Sequence, residues 1–376
     1  MDVLIVGAGP AGATVASGLA QAGLKVTILE KSQLPRFKPC SGGIPAKTRA
    51  LVDLPDDVFD ANVEDTINRV RFTYKHRDPV VVDSEDPLVY MVRRDRFDHA
   101  LVTEAARKGA RILDGVEVVG VDPQGPRARV RTTKGEFAAR IVIGADGVHS
   151  AVARSIGKAN HEKLGFALQA EVPMSQSSLD PWRGTVGGDF GRLPHGIGWV
   201  FPKSDHLSVG LLSFTKRRGW KREELFTFLR GHNLDFDLKR TRIYGHFLPR
   251  WHGQKNFQSG NCLLLGDAAG IVNPMTGAGI EPAMRSAHIA TDVIKDAFWH
   301  GDNRLDRYTD RVLKEVCREF LDVRAMARVF FSFTRTCYQL GIKNPQFSRI
   351  AAKLLTGQMD YTEVWRAMAK AGLRRD

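Results

Sequence analysis

The chain has 376 residues, of which 43% are hydrophobic and 26% are charged. This composition is ordinary for a globular protein, so we do not expect a disordered chain, and the length allows two domains or one large domain. The formal net charge of +13 indicates an anionic partner or a generally basic background. No nucleic-acid recognition module is evident, so we expect no nucleic acid partner. An anionic membrane surface or a phosphorylated substrate is the better candidate.

The cysteines and the first residues bear on the compartment. Cys40, Cys262, Cys317 and Cys337 are widely spaced and form no CxxC pair, so we predict neither a disulfide framework nor a metal site. The first residues lack a basic segment, and their apolar run is interrupted at Gly7, unlike a secretory signal. No apolar stretch reaches the ~18 residues of a membrane span. We therefore expect a cytoplasmic location, with any membrane association on the inner face.

A nucleotide-binding unit opens the sequence. Residues 3–6 form a short apolar run that is typical of a strand buried on both faces, and a GxGxxG turn follows at 7–12. A helix of small residues (13–22) and a second strand (25–29) come next, ending at Glu30. A lone GxGxxG is weak evidence, but these parts occur in the order of a Rossmann unit.

Each part of this unit has a physical role. Gly7 permits the tight turn, Gly9 lets the backbone approach a pyrophosphate, and Gly12 allows the helix to pack closely on the strand. The helix start offers unpaired N–H groups to phosphates. Glu30, eighteen residues after Gly12, can accept hydrogen bonds from ribose hydroxyls. The unit therefore predicts a bound dinucleotide.

Two later segments favour FAD over NAD. Residues 141–147 form a second buried strand that ends in Gly-Ala-Asp-Gly, and residues 262–270 form a third that ends in Gly-Asp-Ala-Ala-Gly. Asp267 is placed to bind a ribityl hydroxyl or the phosphates. The backbone N–H groups of Gly279 and Ile280, at a helix start, can face the electron-rich edge of a reduced flavin.

These motifs carry a family resemblance. The 266–270 run, with the Asn-Pro and Gly-Ala-Gly-Ile that follow it, resembles the geranylgeranyl reductase family of para-hydroxybenzoate hydroxylase-like flavoproteins. Residues 92–98 resemble that family's R-x-x-F-D helix start, which implies that Arg94 lies on the flavin. The resemblance also implies that Val118, in the strand after Gly109-Ala110, contacts the adenosine half through its backbone.

The loop after the acidic strand end carries a candidate catalytic residue. Residues 35–43 resemble the family's P-x-x-x-P-C-x-G-G loop, which implies that Cys40 faces the flavin ring and the substrate, to align the substrate or relay a proton. The alternative is a small buried hydrophobic residue. The predicted cofactor-binding residues are Gly7, Gly9, Ala11, Gly12, Glu30, Lys31, Cys40, Ser41, Gly42, Arg94, Val118, Asp267, Gly279 and Ile280.

A strand near residue 200 is the candidate substrate wall. It resembles the family's Y-x-W-x-F-P … G-x-G stretch, but Ile197 replaces the tyrosine and Leu212 replaces the second glycine. These changes disfavour a polar diether-phospholipid substrate and leave an apolar tunnel for a polyprenyl chain. An ordinary strand with core aromatic residues is the alternative. The predicted substrate contacts are Trp199, Phe201 and Pro202.

The predicted fold class is α/β, with a Rossmann-type FAD-binding domain, an interleaved antiparallel-sheet substrate domain and a helical C-terminal tail. Six strands are predicted for the antiparallel sheet, at 69–74, 80–83, 164–172, 183–190, 198–201 and 207–214. Segments 1–60, 90–150 and 255–300 are assigned to the FAD domain, 61–89 and 151–254 to the substrate domain, and 301–376 to the tail. From Arg304 onward there are fifteen Lys/Arg and eight Asp/Glu, with aromatic residues among them. The tail is therefore either an interfacial membrane contact or a helical cap with a solvated basic face.

The predicted function is an FAD-dependent reductase that saturates C=C bonds of a geranylgeranyl or polyprenyl chain. The electron donor is either NADPH or ferredoxin, because no second GxGxxG marks a separate nicotinamide site. An FAD-dependent aromatic or lipid monooxygenase on the same fold is the alternative. A flavin-stabilised lipid-binding protein without activity is a third reading.

Overall fold

A computed structural model describes residues 1–159, 164–215, 222–234, 236–299, 301, 305–364 and 366–367. The predicted tail therefore lies partly outside the described residues, including 302–304, Trp365 and 368–376. The strands are β1 (Val3–Val6), β2 (Val26–Leu29), β3 (Gly43–Pro45), β4 (Val63–Ile67), β5 (Arg69–Tyr74), β6 (Arg77–Asp83), β7 (Val89–Val92), β8 (Arg111–Leu113), β9 (Val118–Asp122), β10 (Ala128–Thr132), β11 (Gly135–Ala139), β12 (Ile141–Gly144), β13 (Leu164–Pro173), β14 (Thr185–Phe190), β15 (Gly196–Pro202), β16 (His206–Ser213), β17 (Arg242–Pro249), β18 (Gln258–Ser259) and β19 (Cys262–Leu264). The helices are α1 (Pro10–Gln21), α2 (Asp56–Ala61), α3 (Arg94–Arg107), α4 (Ala151–Ser155), α5 (Gln176–Leu179), α6 (Arg222–Gly231), α7 (Ile280–Trp299), α8 (Asp306–Val312), α9 (Arg318–Ser332), α10 (Thr334–Cys337) and α11 (Pro345–Thr356).

A parallel sheet holds the nucleotide unit. Its order is β18-β19-β12-β1-β2-β8, and its strands run parallel except β18, which is antiparallel to β19. Strands β1, β2 and β12 are fully buried, as their continuous apolar runs predict. Helix α1 packs on α3 and α7. The predicted Rossmann unit is confirmed, and its strands come from all three segments assigned to the FAD domain.

A seven-stranded sheet faces it, in the order β17-β13-β16-β15-β14-β5-β6. Neighbouring strands are antiparallel except β14 and β5, which are parallel. One face packs against α6 through Leu225 and Phe228. The sequence predicted six of these strands and missed β17, whose side chains are mostly part-exposed. Two smaller sheets, β11-β10-β9 and β3-β7-β4, contain the remaining strands. The assignment of chain segments to two domains stays a prediction.

The described part of the tail is helical, as predicted. Helices α8 and α9 are joined by a π-helical turn over Leu313–Cys317, and α10 continues into a second one over Tyr338–Ile342. Phe320 is buried in the main core, whereas Phe333 is 63% exposed. Among the described helices, none combines the length and apolar character that crossing a membrane requires.

Candidate functional site

One large cavity lies between the carboxyl ends of the parallel strands and the seven-stranded sheet. Its volume is about 1010 Å³. Gly9 and Ala11 of the glycine turn line it, as do Trp199 and Phe201 of β15 and Phe330 of α9. Clefts at the carboxyl ends of parallel strands are where α/β folds bind ligands. The dinucleotide turn and an apolar pocket therefore belong to the same space.

The glycine turn has the geometry of a phosphate site. Gly7 has φ +102°, and a Cβ there would lie 2.4 Å from a backbone carbonyl oxygen after β12. A Cβ at Gly12 would lie 2.0 Å from the Gly7 carbonyl, so the helix packs directly on the turn. At Gly9 the nearest groups to a Cβ are the guanidinium nitrogens of Arg36 and Arg94, at 3.9 and 4.0 Å. The open backbone at Gly9 thus faces two cations, which fits a pyrophosphate.

Glu30 is fixed at the end of β2. Its carboxylate is buried and accepts hydrogen bonds from the Ala8 N–H at 2.9 Å and the Ser32 N–H at 3.1 Å. Arg36 adds an ion pair, with Nε 3.1 Å from Oε2. Sequence reasoning missed Arg36, because it occupies a variable position of the P-x-x-x-P-C-x-G-G loop. Lys31, predicted beside Glu30, is exposed and is not among the residues lining the cavity.

Arg94 is a buried residue of the cavity wall. It begins α3 and is 6% exposed, and its Nε and Nη2 lie 2.6 and 2.7 Å from the Asp98 carboxylate. Burial opposes the Arg94 charge, but the Asp98 carboxylate outweighs that effect and raises the pKa of Arg94. Arg94 is therefore a buried, ion-paired residue and not a solvated surface arginine.

The aspartate turn meets the start of α7 at the same cavity. Asp267 lies in a 3-10 turn, and a Cβ at Gly279 would be 3.1 Å from its Oδ1. Lys38 Nζ lies 4.0 Å from Asp267, and burial lowers the pKa of Lys38. Ile280 begins α7, whose positive end faces the cavity. Burial and the charge of Lys38 also lower the pKa of His246, on β17, to about 4.

The Cys40 loop lies over this cavity. Cys40 lines it, and its sulfur accepts a hydrogen bond from the Gly42 N–H at 3.4 Å and interacts with the Arg94 guanidinium. Gln169 Nε2, from β13, donates to the Cys40 carbonyl at 3.3 Å. Gly42 has φ +69°, and a Cβ there would lie 2.0 Å from the Val92 carbonyl, so only glycine fits this turn. The loop thereby holds the thiol at the cavity wall.

Lys203, which directly follows β15, anchors the Cys40 loop. Its Nζ donates to the Ser41 carbonyl at 2.7 Å and to the Val92 carbonyl at 3.0 Å. The residue is 2% exposed, and burial lowers the pKa of Lys203 to about 8. No sequence pattern predicted this role, because Lys203 is 162 residues away from Ser41.

The substrate-side wall is apolar. Ile197 and Leu212, the two departures from the family pattern, are paired across β15 and β16, and both line the cavity. Trp199 pairs with Gly210, where a Cβ would lie 2.1 Å from the indole ring. Phe201 also lines the cavity. The glycine therefore makes room for the indole, and the replacements add apolar surface.

Besides Lys31, the predicted site residues Pro202 and Val118 do not line the cavity. Pro202 is buried and is not among the lining residues, because side chains alternate along β15 and Phe201 faces the cavity. Val118 was placed in the strand after Gly109-Ala110, but that strand is β8, and Val118 begins β9 of a separate sheet. Its contact with the adenosine half stays a prediction.

A cluster of charged side chains forms one part of the cavity wall. Lys47 Nζ is 3.1 Å from the Glu281 carboxylate, and Arg285 pairs with Glu319. Tyr361 accepts a hydrogen bond from Asn273 at 2.9 Å, and its ring lies near Lys47. The cavity therefore has a polar part as well as its apolar wall.

The fold and the site define an FAD-dependent oxidoreductase. Residues 1–195 match the family described as FAD binding domain. The chain is 31% identical over 328 residues to a chloroplastic geranylgeranyl diphosphate reductase of Nicotiana tabacum, covering 81% of this chain and 68% of that protein. It is 30% identical over 377 residues to a geranylgeranyl diphosphate reductase of Rhodobacter capsulatus, covering 94% and 92%.

A solved structure has the same fold. The crystal structure of a geranylgeranyl bacteriochlorophyll reductase-like protein from Thermoplasma acidophilum superposes with a TM-score of 0.79 at 23% identity, covering 99% of this chain and 96% of that one. The family match and the sequence identities show that this chain belongs to the geranylgeranyl reductase family of FAD-binding proteins.

Proposed function

We propose that this protein saturates C=C bonds in a geranylgeranyl or polyprenyl chain. The observation that carries the proposal is the continuity of the cavity: the glycine turn, the Asp267 turn and the apolar wall of Ile197 and Leu212 border one space of about 1010 Å³. An apolar chain that enters this cavity therefore comes close to the residues that are suited to bind FAD. The names of the relatives support the same substrate class.

Different residues of the cavity bind the cofactor and orient the substrate. Gly9, with Arg36 and Arg94 beside it, would hold the pyrophosphate, and Asp267 with the α7 start would hold the flavin end. Reduced FAD, when bound, supplies the hydride for one alkene carbon. The other carbon takes a proton, for which the Cys40 thiol at the cavity wall is the candidate relay. The apolar wall excludes water and aligns the chain.

We propose NADPH or a ferredoxin as the electron donor. Measuring flavin bleaching with each donor under anaerobic conditions decides between them. The donor that bleaches the flavin within the turnover time is the physiological class.

We further propose a contact with an anionic membrane through the tail. Val329, Phe333 and Leu340 are 47%, 63% and 55% exposed, and Val329 and Leu340 also line the cavity. Arg328 and Arg335 are exposed near them in the chain. Apolar side chains flanked by cations suit an anionic lipid surface, from which a substrate chain could enter. Flotation with anionic vesicles should recover the protein, and Phe333→Asp should lower the recovery.

Mass spectrometry tests the proposed substrate. Protein purified from cells should carry a bound polyprenyl lipid, and anaerobic incubation with reduced FAD should add two hydrogens per double bond reduced. The Cys40→Ala variant should keep its flavin and lose most of this activity. An oxygenated product formed in air, with no saturation under anaerobic conditions, would support the monooxygenase alternative. Full activity in Cys40→Ala would remove the role of the thiol.

A further inference from the structure

A buried group of metal-binding side chains lies on the face of the seven-stranded sheet away from the cavity. His76 follows β5 in the β5–β6 turn, Asp189 lies near the end of β14, and His232 follows α6. One ligand atom from each lies within 4.8 Å of the others. The neighbouring residues Phe72 and Phe190 face the cavity, so the alternation along β5 and β14 directs Asp189 to the opposite face.

Hydrogen bonds hold the Asp189 carboxylate in place beside the turn that carries His76. The Asp189 Oδ2 accepts hydrogen bonds from the Thr73 hydroxyl at 2.7 Å and from the His76 N–H at 2.7 Å. Lys75 and His76 both have positive φ, at 52° and 63°, which is a strained conformation for residues with a side chain. The turn thereby places the His76 imidazole inward, where its side chain is 10% exposed.

Four polar atoms of this group lack a hydrogen-bond partner among the described residues. They are both ring nitrogens of His76, the Nε2 of His232 and the Oδ1 of Asp189. Asp189 is 2% exposed, so its free oxygen is shielded from water. Leaving a buried polar atom without a hydrogen-bond partner is energetically unfavourable. A neutral imidazole keeps a proton on one ring nitrogen, so three of these four atoms, one from each residue, can offer a lone pair to a single cation.

We propose that His76, Asp189 and His232 bind one divalent transition-metal ion, with Zn²⁺ the best match. Two imidazole nitrogens and one carboxylate oxygen are a ligand set that Zn²⁺ uses, with a fourth position left open. His232 also lines a second cavity, of about 340 Å³. In a tetrahedral site the ligand atoms lie about 3.4 Å apart, so the group must close by about 1 Å.

The surrounding charges and the protonation states are compatible with this site. Burial lowers the pKa of His76 to about 4 and that of His232 to about 3, and each neutral imidazole offers the lone pair of one ring nitrogen. Burial raises the pKa of Asp189, and a bound cation would restore its charge. Arg192 and Arg71 are nearby cations that repel a metal ion. The negative charge of the Asp189 carboxylate must offset this repulsion.

The sequence predicted no metal site, because its three ligands come from positions 76, 189 and 232 with no local spacing pattern. The competing explanation is an aromatic cluster. The His76 and His232 rings meet edge to face at 4.5 Å, and both pack on Phe228, at 5.1 and 4.7 Å. Such packing leaves the ring nitrogens unpaired and binds no metal, so metal content distinguishes the two.

The test uses untagged, flavin-loaded, full-length protein. After exposure to Zn²⁺ and gel filtration, we expect about one zinc per chain, and EDTA should lower the unfolding temperature by several degrees. His232→Gln and Asp189→Asn should lose the zinc. The control His99→Gln, at an exposed position on α3, should retain it.

The wild-type protein alone keeps the proposal falsifiable if a variant fails to fold. Wild-type protein that holds no stoichiometric zinc, and whose unfolding temperature ignores both Zn²⁺ and EDTA, would overturn the site. Equal zinc content in wild type and a folded His232→Gln would also overturn it. Neither result bears on the proposed reductase activity, since the flavin cavity lies on the other face of the sheet.

Discussion

The anchor beneath the Cys40 loop is open to a direct test, in which Lys203 is replaced by methionine. Methionine keeps the length and apolar stem of the side chain and removes the ammonium group. The Ser41 and Val92 carbonyls then lose their donor. The Cys40 loop should open more often, because the Lys203 ammonium links the Ser41 carbonyl of the loop to the Val92 carbonyl at the end of β7.

The magnitude follows from these two hydrogen bonds. A hydrogen bond contributes about 0.5–1.5 kcal/mol net, so losing both costs about 1–3 kcal/mol of local stability. Every 1.4 kcal/mol is a factor of ten, so the population of the open loop should rise by about tenfold to a hundredfold.

Thiol labelling measures this opening. Cys40 and Cys337 are half-buried, whereas Cys262 and Cys317 are buried, so Cys337 serves as an internal reference. In Lys203→Met the labelling rate of Cys40 should rise relative to that of Cys337. The control Lys31→Met, at an exposed position, should change neither. An unchanged Cys40 rate in a folded Lys203→Met protein would refute the anchoring role.

The pH dependence of stability gives a second measurement on Lys203. Its folded pKa of about 8 lies below the ordinary value of 10.5, so the unfolded chain binds more protons between those values. Stability should therefore rise with pH through this window, by roughly 3 kcal/mol in the limit of full deprotonation. The increase should be missing in Lys203→Met, as followed by urea unfolding at several pH values.

Three further changes test other parts of the site. Gly42→Ala should cost at least about 2 kcal/mol in urea unfolding, because it adds a clash to a positive φ, whereas Gly125→Ala shares the positive φ without a clash and should cost less. Ile197→Asp puts a charge in the apolar wall, so activity on a polyprenyl substrate should fall at least about tenfold with flavin content unchanged. The exposed Val81→Asp should leave both unaltered. His206 pairs with two carboxylates that outweigh its burial and raise its pKa, so the stability lost in His206→Gln should be largest below the ordinary pKa of 6.5 and shrink as pH rises through the raised value. A loss that stays constant with pH would contradict that pairing.

The elements that the sequence predicted well are those with a strong local pattern. Strand β1 and the glycine turn follow from a buried apolar run and from glycines whose Cβ atoms would clash. Five of the six predicted strands of the large sheet lie within two residues of their expected bounds, and β6 begins three residues early. Turn residues and alternation set those limits.

What the sequence missed depends on contacts between distant positions. Lys203 and Gln169 hold the Cys40 loop from another sheet, and no spacing in one sequence reports that. Pro202 was assigned to the substrate wall by its neighbours in a motif, although alternation places it on the other face. Val118 was assigned one strand too early, because the three-residue strand β8 has too few residues to show a period.

The central claim is that an isoprenoid chain in the apolar part of the cavity reaches the bound flavin. The most direct measurement is flavin reoxidation without oxygen, after the FAD-loaded protein has been reduced with dithionite and freed of excess reductant. Adding geranylgeranyl diphosphate should restore the yellow flavin, with one double bond saturated for each flavin oxidised. A flavin that stays reduced with every isoprenoid offered, yet reoxidises in air, would contradict the account.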